Sequence, residues 1–397
     1  MHLKNGYHQT EIGILPNDWG VSSIGKVFQL DNGCAFTPED WKEYGTPIIR
    51  IQNLNDPAAK FNYSQAPIAP RNRVETGDLL FAWSGTIGTS FGARIWRGPP
   101  GVLNQHIFKV SMDEHRIDKA YALRVFFQVQ EAIGKQAHGF KTSFVHVKKA
   151  DLIKVMLPLP PLTEQRAIAE ALSDVDALLG VLDRMLTKKR DLKQAAMQQL
   201  LTGQTRLPGF DGEWEEEELG AGVALRSGHH VLAQYCNTQH NGIPYLTGPA
   251  DFPDGKINCT KFTTRPTTMC AEDDILVTVK GSGAGTLTIA DDAYCISRQL
   301  MAIRVEGWNT KFVFFSLLQN ASEFKAAATG LIPGLSRSDV LEQSLPFPPT
   351  VEEQTAIAEV LSDMDAEIAA LERRREKTGL LKQGMMQELL TGKTRLV

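Results

Sequence analysis

The chain has 397 residues, 42 Lys plus Arg against 46 Asp plus Glu, a formal charge of -4 and 42% hydrophobic residues. At roughly 100 to 200 residues per domain, such a length calls for two or three domains, and 18 Phe, 6 Trp and 7 Tyr at a charged fraction of 22% exclude wholesale disorder. No apolar run approaches the roughly 18 to 20 residues of a membrane helix and MHLKNGYHQTEIG holds no apolar signal core, so a cytosolic protein without a membrane span is expected. In chain order, short strands are predicted at PIIRIQ, DLLFAW and HIFKV, divided by Gly, Pro, Ser and Asn turns, with a helix near 117 to 136. From Thr163, Ile168, Leu172, Val175, Leu179, Leu182 and Leu186 step by four and three, which predicts a helix over about 164 to 201 with one apolar seam. At 1.5 Å per residue it would be roughly 57 Å long. Strands at ILVTV and LMAIRV and a helix near 309 to 328 follow, and then a second seam, Ile357, Leu361, Met364, Ile368 and Leu371. Pro160-Pro161 and Pro348-Pro349 lead into the long helices. Thr163 is placed to cap the first, Thr350 with Glu353 fits a capping box on the second, and Gly203 and Gly392 stand where C-terminal glycine caps belong.

The two helical segments are copies of each other. Residues 157 to 207 run from LPLPPLTEQRAIAEALSDVDALL to LKQAAMQQLLTGQTRL, and 345 to 396 from LPFPPTVEEQTAIAEVLSDMDAEI to LKQGMMQELLTGKTRL; at a constant offset of 189, roughly 26 of the 44 positions from Glu164 to Leu207 are identical. The preceding segments keep only landmarks: Trp19 answers to Trp214, Gly33 to Gly228, Gly45-Thr46-Pro47 to Gly242-Ile243-Pro244, and GDLLFAWSGTIG to DDILVTVKGSGAG. Helical units that stayed alike while the domains between them diverged are what is expected if the helices share one partner and the domains read different things. The expected fold is α+β, with two mixed α/β domains alternating with two long helices packed antiparallel as a pseudo-two-fold internal repeat. Residues 1 to 156 carry a charge of +4 and residues 208 to 344 a charge of -7, six of whose acids lie in DGEWEEEE, residues 211 to 218.

Catalytic motifs are missing. Gly392-Lys393-Thr394 resembles the end of a phosphate loop but has Gln387 where the upstream glycine belongs, and Gly281, Gly283 and Gly285 follow a strand without the helix of a nucleotide site. The methyltransferase tetrapeptide, the nuclease acid cluster and the G-x-S-x-G elbow are not found, so no catalytic residue is assigned and no enzyme is expected. Five scattered cysteines without a C-x-x-C pair read as buried free thiols, and the adjacent His229 and His230 cannot be an i, i+4 ligand pair, so no metal is assigned.

Polar side chains suited to bases or phosphates sit in the turns. They are Arg50, Gln52, Asn53, Asn55, Ser84, Thr86, Lys141, Thr142, Ser143, His146 and Lys148 in the first domain, and Tyr245, Thr247, Lys280, Ser282, Ser336 and Arg337 in the second. Arg pairs with guanine and Asn or Gln with adenine, while Lys and Ser suit phosphate. The later half of each long helix is basic (Arg184, Lys188, Lys189, Arg190 and Lys193; Arg373, Arg374, Arg375, Lys377 and Lys382), a solvated face that could also meet a phosphate backbone.

The doubled P-P-x-x-E-Q-x-A-I-A start and L-L-T-G-x-T-R-L ending resemble the conserved regions of the specificity subunit of type I restriction-modification systems, over the whole chain in order. The resemblance implies a target-recognition domain at 1 to 156, a central conserved helical region at 157 to 207, a second target-recognition domain at 208 to 344 and a C-terminal conserved region at 345 to 397. It implies a subunit without chemistry of its own, bound to double-stranded DNA, to two methyltransferase subunits that carry S-adenosylmethionine and methylate adenine at N6, and to two restriction and translocase subunits that use ATP and magnesium. Each domain would read half of an interrupted site and the helix pair would set the spacer. The seams, from Ile168 to Leu182 and from Ile357 to Leu371, and the first turns with Glu164, Gln165, Glu353 and Gln354 are then the candidate scaffold and methyltransferase-facing surface. Two other classes remain open at this point. One is a structural adaptor that joins proteins without reading DNA, and the other is an autonomous methyltransferase or nuclease, which the missing motifs oppose.

Overall fold

The computed structural model describes residues 5–396 except 57, 138–143, 282 and 323–333. Two compact units emerge, one of residues 1–182 with 375–397 and one of residues 183–374. They regroup the four segments read from the sequence, because each unit combines one variable domain with the first half of the long helix that follows it and the second half of the other long helix. No helix among the described residues is long and apolar enough to cross a membrane.

The long helices span Leu162–Leu200 and Val351–Leu389, 39 residues each. Thr163 lies inside the first turn, so it does not cap the helix as expected; the Gln165 amide donates to the Pro161 carbonyl instead. At the second helix the Thr350 hydroxyl accepts from the Glu353 amide at 3.3 Å, which is half of the expected box. The Glu353 carboxylate goes elsewhere, to Arg206. Gly203 and Gly392 close the helices at φ of 70° and 67°, the left-handed region that side chains avoid.

In the first unit, a four-stranded antiparallel sheet has the order Gly92–Ile95, Leu79–Ala82, Ile107–Met112, Phe28–Asn32. The second unit repeats it as Leu287–Ile289, Ile275–Thr278, Leu300–Val305, Val223–Ser227. The strands expected at DLLFAW, HIFKV, ILVTV and LMAIRV are the paired inner strands of these sheets. Leu79–Ala82 and Ile275–Thr278 are buried throughout, which is why they read as continuous rather than alternating runs. A smaller sheet in each unit holds one parallel pair, Thr46–Ile49 with Gly101–Leu103 and Ile243–Leu246 with Cys295–Ile296. A two-stranded ribbon precedes each long helix, Gly20–Ser23 with Met156–Leu159 and Glu215–Glu218 with Ser344–Phe347. Propensity gives no hint that EEEE is a strand. Pairing with the apolar Leu345 and Phe347, which are buried, imposes it.

Helix Lys119–Ala137 lies where the pattern placed it, and Thr310–Gln319 starts where expected but ends at Gln319, with residues 323 to 328 of the expected span outside the described residues. They are capped by Asp118, whose carboxylate accepts from the Ala120 and Tyr121 amides, and by Asn309, which accepts from the Phe312 amide at 3.0 Å. Each long helix plugs its first turns into the core of its own unit: Ile168 and Leu172 pack with Phe28, Phe81 and Phe126 in one, Ile357 and Leu361 with Phe312 and Phe347 in the other. Met386, Leu389 and Leu390 complete the first core, and Met197, Leu200 and Leu201 the second. The seam is thus partly domain core rather than only a helix-on-helix contact, and Val175, Leu179, Met364 and Leu371 are half-buried while Leu182 and Ile368 are buried.

Within each unit the two helix segments run antiparallel. Lys382 pairs with Asp176 at 2.6 Å and Arg395 with Glu164 in the first; Lys193 pairs with Asp365 at 2.6 Å and Arg206 with Glu353 in the second. Each pair is its counterpart shifted by 189. Lys189 with Glu367, and Arg190 with Glu372 at 2.7 Å, add to the second set, so four of the basic residues proposed for phosphate are engaged by carboxylates of the facing segment.

Gly33 and Gly228 end equivalent strands where a Cβ would meet the Asn104 and Ser297 carbonyl oxygens at 2.1 Å in both cases. Gly228→Ala is therefore expected to cost about 1–3 kcal/mol through forced backbone displacement, whereas Gly379→Ala, in a helix with nothing near the added carbon, should add about 0.5–1 kcal/mol. Denaturant unfolding of the two variants checks this, and an unchanged midpoint for Gly228→Ala would contradict the close approach.

Candidate nucleic-acid interface

Both copies of the E-Q motif are buried and hydrogen-bonded inside their units. Glu164 is 1% exposed, and its carboxylate accepts from Arg395 Nε at 2.7 Å, Arg395 Nη2 at 2.8 Å and Trp19 Nε1 at 2.8 Å. Arg395 also reaches the Asp18 carboxylate at 2.7 Å and 2.9 Å and lies over the Trp19 ring. Glu353 is 0% exposed and is gripped by Arg206, which lies over Trp214 and donates further to the Asp211 and Gly212 carbonyls. The two clamps differ in their outer contacts: Arg206 has backbone carbonyls where Arg395 has the Asp18 carboxylate, and the Trp214 indole N–H has no hydrogen-bond partner among the described residues. Gln165 accepts from the Asp118 amide at 2.8 Å and Gln354 from the Asn309 amide at 2.9 Å, so the second motif residue holds the cap of each domain helix. Gln165 and Gln354 are buried as well. Buried side chains cannot present a surface, so Glu164, Gln165, Glu353 and Gln354 serve as scaffold but not as the methyltransferase-facing residues expected from the sequence.

The turns at one end of each four-stranded sheet share a hydrogen-bonded frame. Gly33 N–H donates to the Ile107 carbonyl as Gly228 does to Leu300, Asn104 to Ile49 as Ser297 to Leu246, Trp83 to His106 as Val279 to Gln299, and Val147 to Trp83 as Leu335 to Val279. Upon this frame the exposed residues, with the half-buried His106 and Ser227, differ. The first unit presents Asn32, Gln105, His106, His146 and Lys148 around Trp83, whose ring meets His106 and His146 edge-on at 5.1 Å and 4.8 Å. The second presents Ser227, His229, Lys280, Arg298, Gln299 and Arg337. Lys149 donates to the Leu30 carbonyl, and Arg337 to the equivalent Leu225 carbonyl at 3.0 Å, which makes Lys149 rather than Lys148 the counterpart of Arg337.

The charge of the second unit is polarised along its sheet. Lys280, Arg298 and Arg337 follow or face the strand ends at Thr278, Leu300 and Ser227, while Asp273, Asp274, Asp291, Asp292 and Glu306 flank the opposite ends. Glu215–Glu218 precede the far end of Val223–Ser227 too. The net acidity of this domain is thus kept away from the Lys280 and Arg298 turns.

Several residues singled out in the sequence are not available for contact. Asn53 is fully buried, with its side chain accepting from the Arg50 amide at 3.1 Å and donating to the Ala59 carbonyl at 3.0 Å. Ser84 is buried in the strand Ser84–Thr86, and Tyr245 is buried with its hydroxyl accepting from the Val231 amide. These three are corrected to structural roles. Others are tied but reachable: Arg50 bonds Asn62 at 3.0 Å over the Trp41 ring, Asn55 accepts from Arg94 at 3.1 Å, Gln52 is exposed, and Thr86 is half-buried with its amide donating to the Ser90 hydroxyl. Thr247 donates to Asp251 at 2.8 Å, and Ser336 caps the short helix Arg337–Leu341 through the Asp339 amide. Lys141, Thr142, Ser143 and Ser282 lie outside the described residues. Sequence reasoning missed Gln105, His106, Arg298 and Gln299, although NQHIFKV and SRQLMAI stand at matching places in the two copies.

Cys34, Cys236 and Cys259 are half-buried rather than buried, while Cys270 and Cys295 are buried; burial pushes the Cys270 thiol up to about 11, far from a reactive thiolate. No group of three or more metal-binding side chains is brought together among the described residues.

A duplicated module with a shared frame and divergent exposed turns defines a two-part recognition protein. The type I restriction modification DNA specificity domain model matches residues 16–184 and 212–379, and the chain belongs to this family. Its role is DNA sequence specificity in a restriction-modification system. It is 26% identical to a Methanocaldococcus jannaschii protein described as the specificity subunit of the type I restriction enzyme MjaX, over 100% of this chain and 98% of that one. With the MjaVIII specificity subunit of the same organism the identity is 25%, over 96% and 94%. The fold is similar to the crystal structure of a type I S subunit from M. genitalium, with a TM-score of 0.63, 17% identity and 98% of each chain covered.

Arg395→Ala would leave the buried Glu164 unpaired and is expected to cost about 3–5 kcal/mol in denaturant unfolding; a loss below about 1 kcal/mol, the range of exposed pairs, would contradict the clamp. Adding Glu164→Gln should restore part of the loss. The hydrogen bond from Arg395 holds the Asp18 carboxyl below its usual range. Burial pushes Asp176 up, but hydrogen bonds from Lys382 and Arg124 outweigh it and leave that carboxyl low as well. Depressed folded-state values stabilise above the unfolded carboxylate pKa of about 3.9, and that contribution is lost as pH falls further. Unfolding free energies compared between pH 7 and pH 3 should therefore fall less in Arg395→Ala than in the natural protein, and an equal fall would contradict the Asp18 assignment.

Proposed function

We infer that this chain is the non-catalytic reading subunit of a type I assembly, in which each unit reads one half of an interrupted DNA site. The observation that carries the reading is the pair of matching turn frames bearing different exposed hydrogen-bonding residues. A shared frame implies the same mode of approach to DNA, and different residues imply different sequences read. The continuous 39-residue helices suit a spacer that sets the unread gap, at about 1.5 Å per residue.

The proposed partners are double-stranded DNA, two methyltransferase subunits and two restriction and translocase subunits. S-adenosylmethionine belongs to the methyltransferase subunits, which would methylate adenine at N6, and ATP with magnesium to the restriction subunits. With Glu164 and Glu353 buried, docking of the methyltransferase subunits falls to the helix faces that are left apolar and open, Leu178, Val181, Leu380 and Leu381 in the first unit. Aspartate in place of Leu380 and Leu381 should leave folding intact but weaken assembly with the methyltransferase subunit, read by co-purification; undiminished assembly would move the docking face elsewhere.

Expression of the chain with its methyltransferase subunit in a host that lacks both should create one bipartite methylated motif. That motif should vanish when this chain alone is withheld. An unchanged set of methylated adenines without the chain would contradict the reading.

A further inference from the structure

We propose that the two-residue turns Gln105–His106 and Arg298–Gln299 are the base-reading tips of the two units, each reading one half-site in the major groove. The inference rests on the reading of the chain as a DNA specificity subunit and adds to it which side chains discriminate. Both turns occupy one structural position. The residue before each, Asn104 or Ser297, is anchored by its amide to the parallel strand pair, and its side chain accepts from a turn amide, at 2.8 Å from Gln105 and at 3.1 Å from Gln299. Rigid anchoring of a short turn limits the freedom its side chains must lose on binding.

The side chains so presented are suited to base edges. Gln105, Arg298 and Gln299 are exposed. Arg298 forms no hydrogen bond or ion pair among the described residues. Its five donors are thus uncommitted, and a planar fork of that kind fits guanine O6 and N7, whereas a Gln amide fits adenine N6 and N7. In the first unit the turn is flanked by the half-buried Trp83 ring, an apolar wall of the kind that meets a thymine methyl; the second unit has the buried Val279 at that position and no such wall. Asp273, Asp274, Asp291, Asp292 and Glu306 of the second unit stand at the other end of the sheet, which leaves less negative charge to oppose a phosphate backbone near Arg298.

The test uses the full chain co-expressed with its methyltransferase subunit, with methylated adenines mapped across the host genome. Arg298→Ala should relax one half-site at one position, lowering discrimination about 5- to 150-fold there, and leave the other half-site unchanged. Gln105→Ala should do the reverse. Arg298→Lys keeps the charge but loses the fork, so it should relax the same position as Arg298→Ala, and it serves where the alanine variant fails to fold. An unchanged motif in all variants overturns the inference while leaving the chain's general role standing. So does full specificity in Arg298→Lys, which would mark a phosphate contact only, and so does loss of complex assembly in Arg298→Lys and Gln105→Ala, which would place a protein at these turns. Absence of any chain-dependent motif with the natural sequence would instead overturn the underlying reading.

Discussion

A buried carboxylate that must not stand alone governs how this protein is built. Glu164 and Glu353 sit in the first turn of their helices at essentially zero exposure, and an isolated charge there would cost several kcal/mol in lost solvation. The compensating arginine comes from the far end of the other copy of the repeat, Arg395 for Glu164 and Arg206 for Glu353. Each recognition unit is closed by a segment remote in sequence. The adjacent glutamines then bind the cap of the domain helix, so two consecutive residues fasten the helix ending, the domain helix and the long helix together. That the Glu, Gln and Arg of the clamp are the same in both helical copies follows from this, since neither motif can drift without leaving a charge or an amide unpaired inside a core.

Freed from that duty, the turns at one sheet end can vary. Their backbone frame is held by the same main-chain hydrogen bonds in both units, which depend on no particular side chain apart from the glycines at 33 and 228. A frame that tolerates exchange of Gln105 for Arg298, or Trp83 for Val279, is suited to reading different sequences on one architecture. Local charge matters more here than the total of -4, because Asp273, Asp274, Asp291, Asp292 and Glu306 lie at the strand ends away from Lys280 and Arg298.

Much of the fold was legible in the sequence, and the physical reasons are specific. A 3.6-residue periodicity sustained over many turns has one solution, so the first long helix was placed to within about two residues and the second was found by its seam, and left-handed glycines marked their ends. Inner strands were visible because a strand buried on both faces is apolar throughout. Less was legible where long-range contacts decide. EEEE becomes a strand only through its partner, Asn53 is an ordinary turn residue until the fold buries it, and the E-Q motif looks like a polar exposed helix start unless Arg206 and Arg395 are known to reach it. The base-reading candidates were visible only by placing NQH over SRQ, a comparison that needs the strand register to justify it.

The most direct test of the account is the methylation motif of a chain in which residues 208–344 are replaced by a second copy of residues 1–156. Trp19, Gly33 and the cap of the domain helix would then stand in both units against the existing Glu353 and Arg206, so the clamps should still close. The expected outcome is a two-fold symmetric motif made of the first half-site twice. Survival of the original second half-site, or an assembled complex that methylates without a symmetric motif, would contradict it.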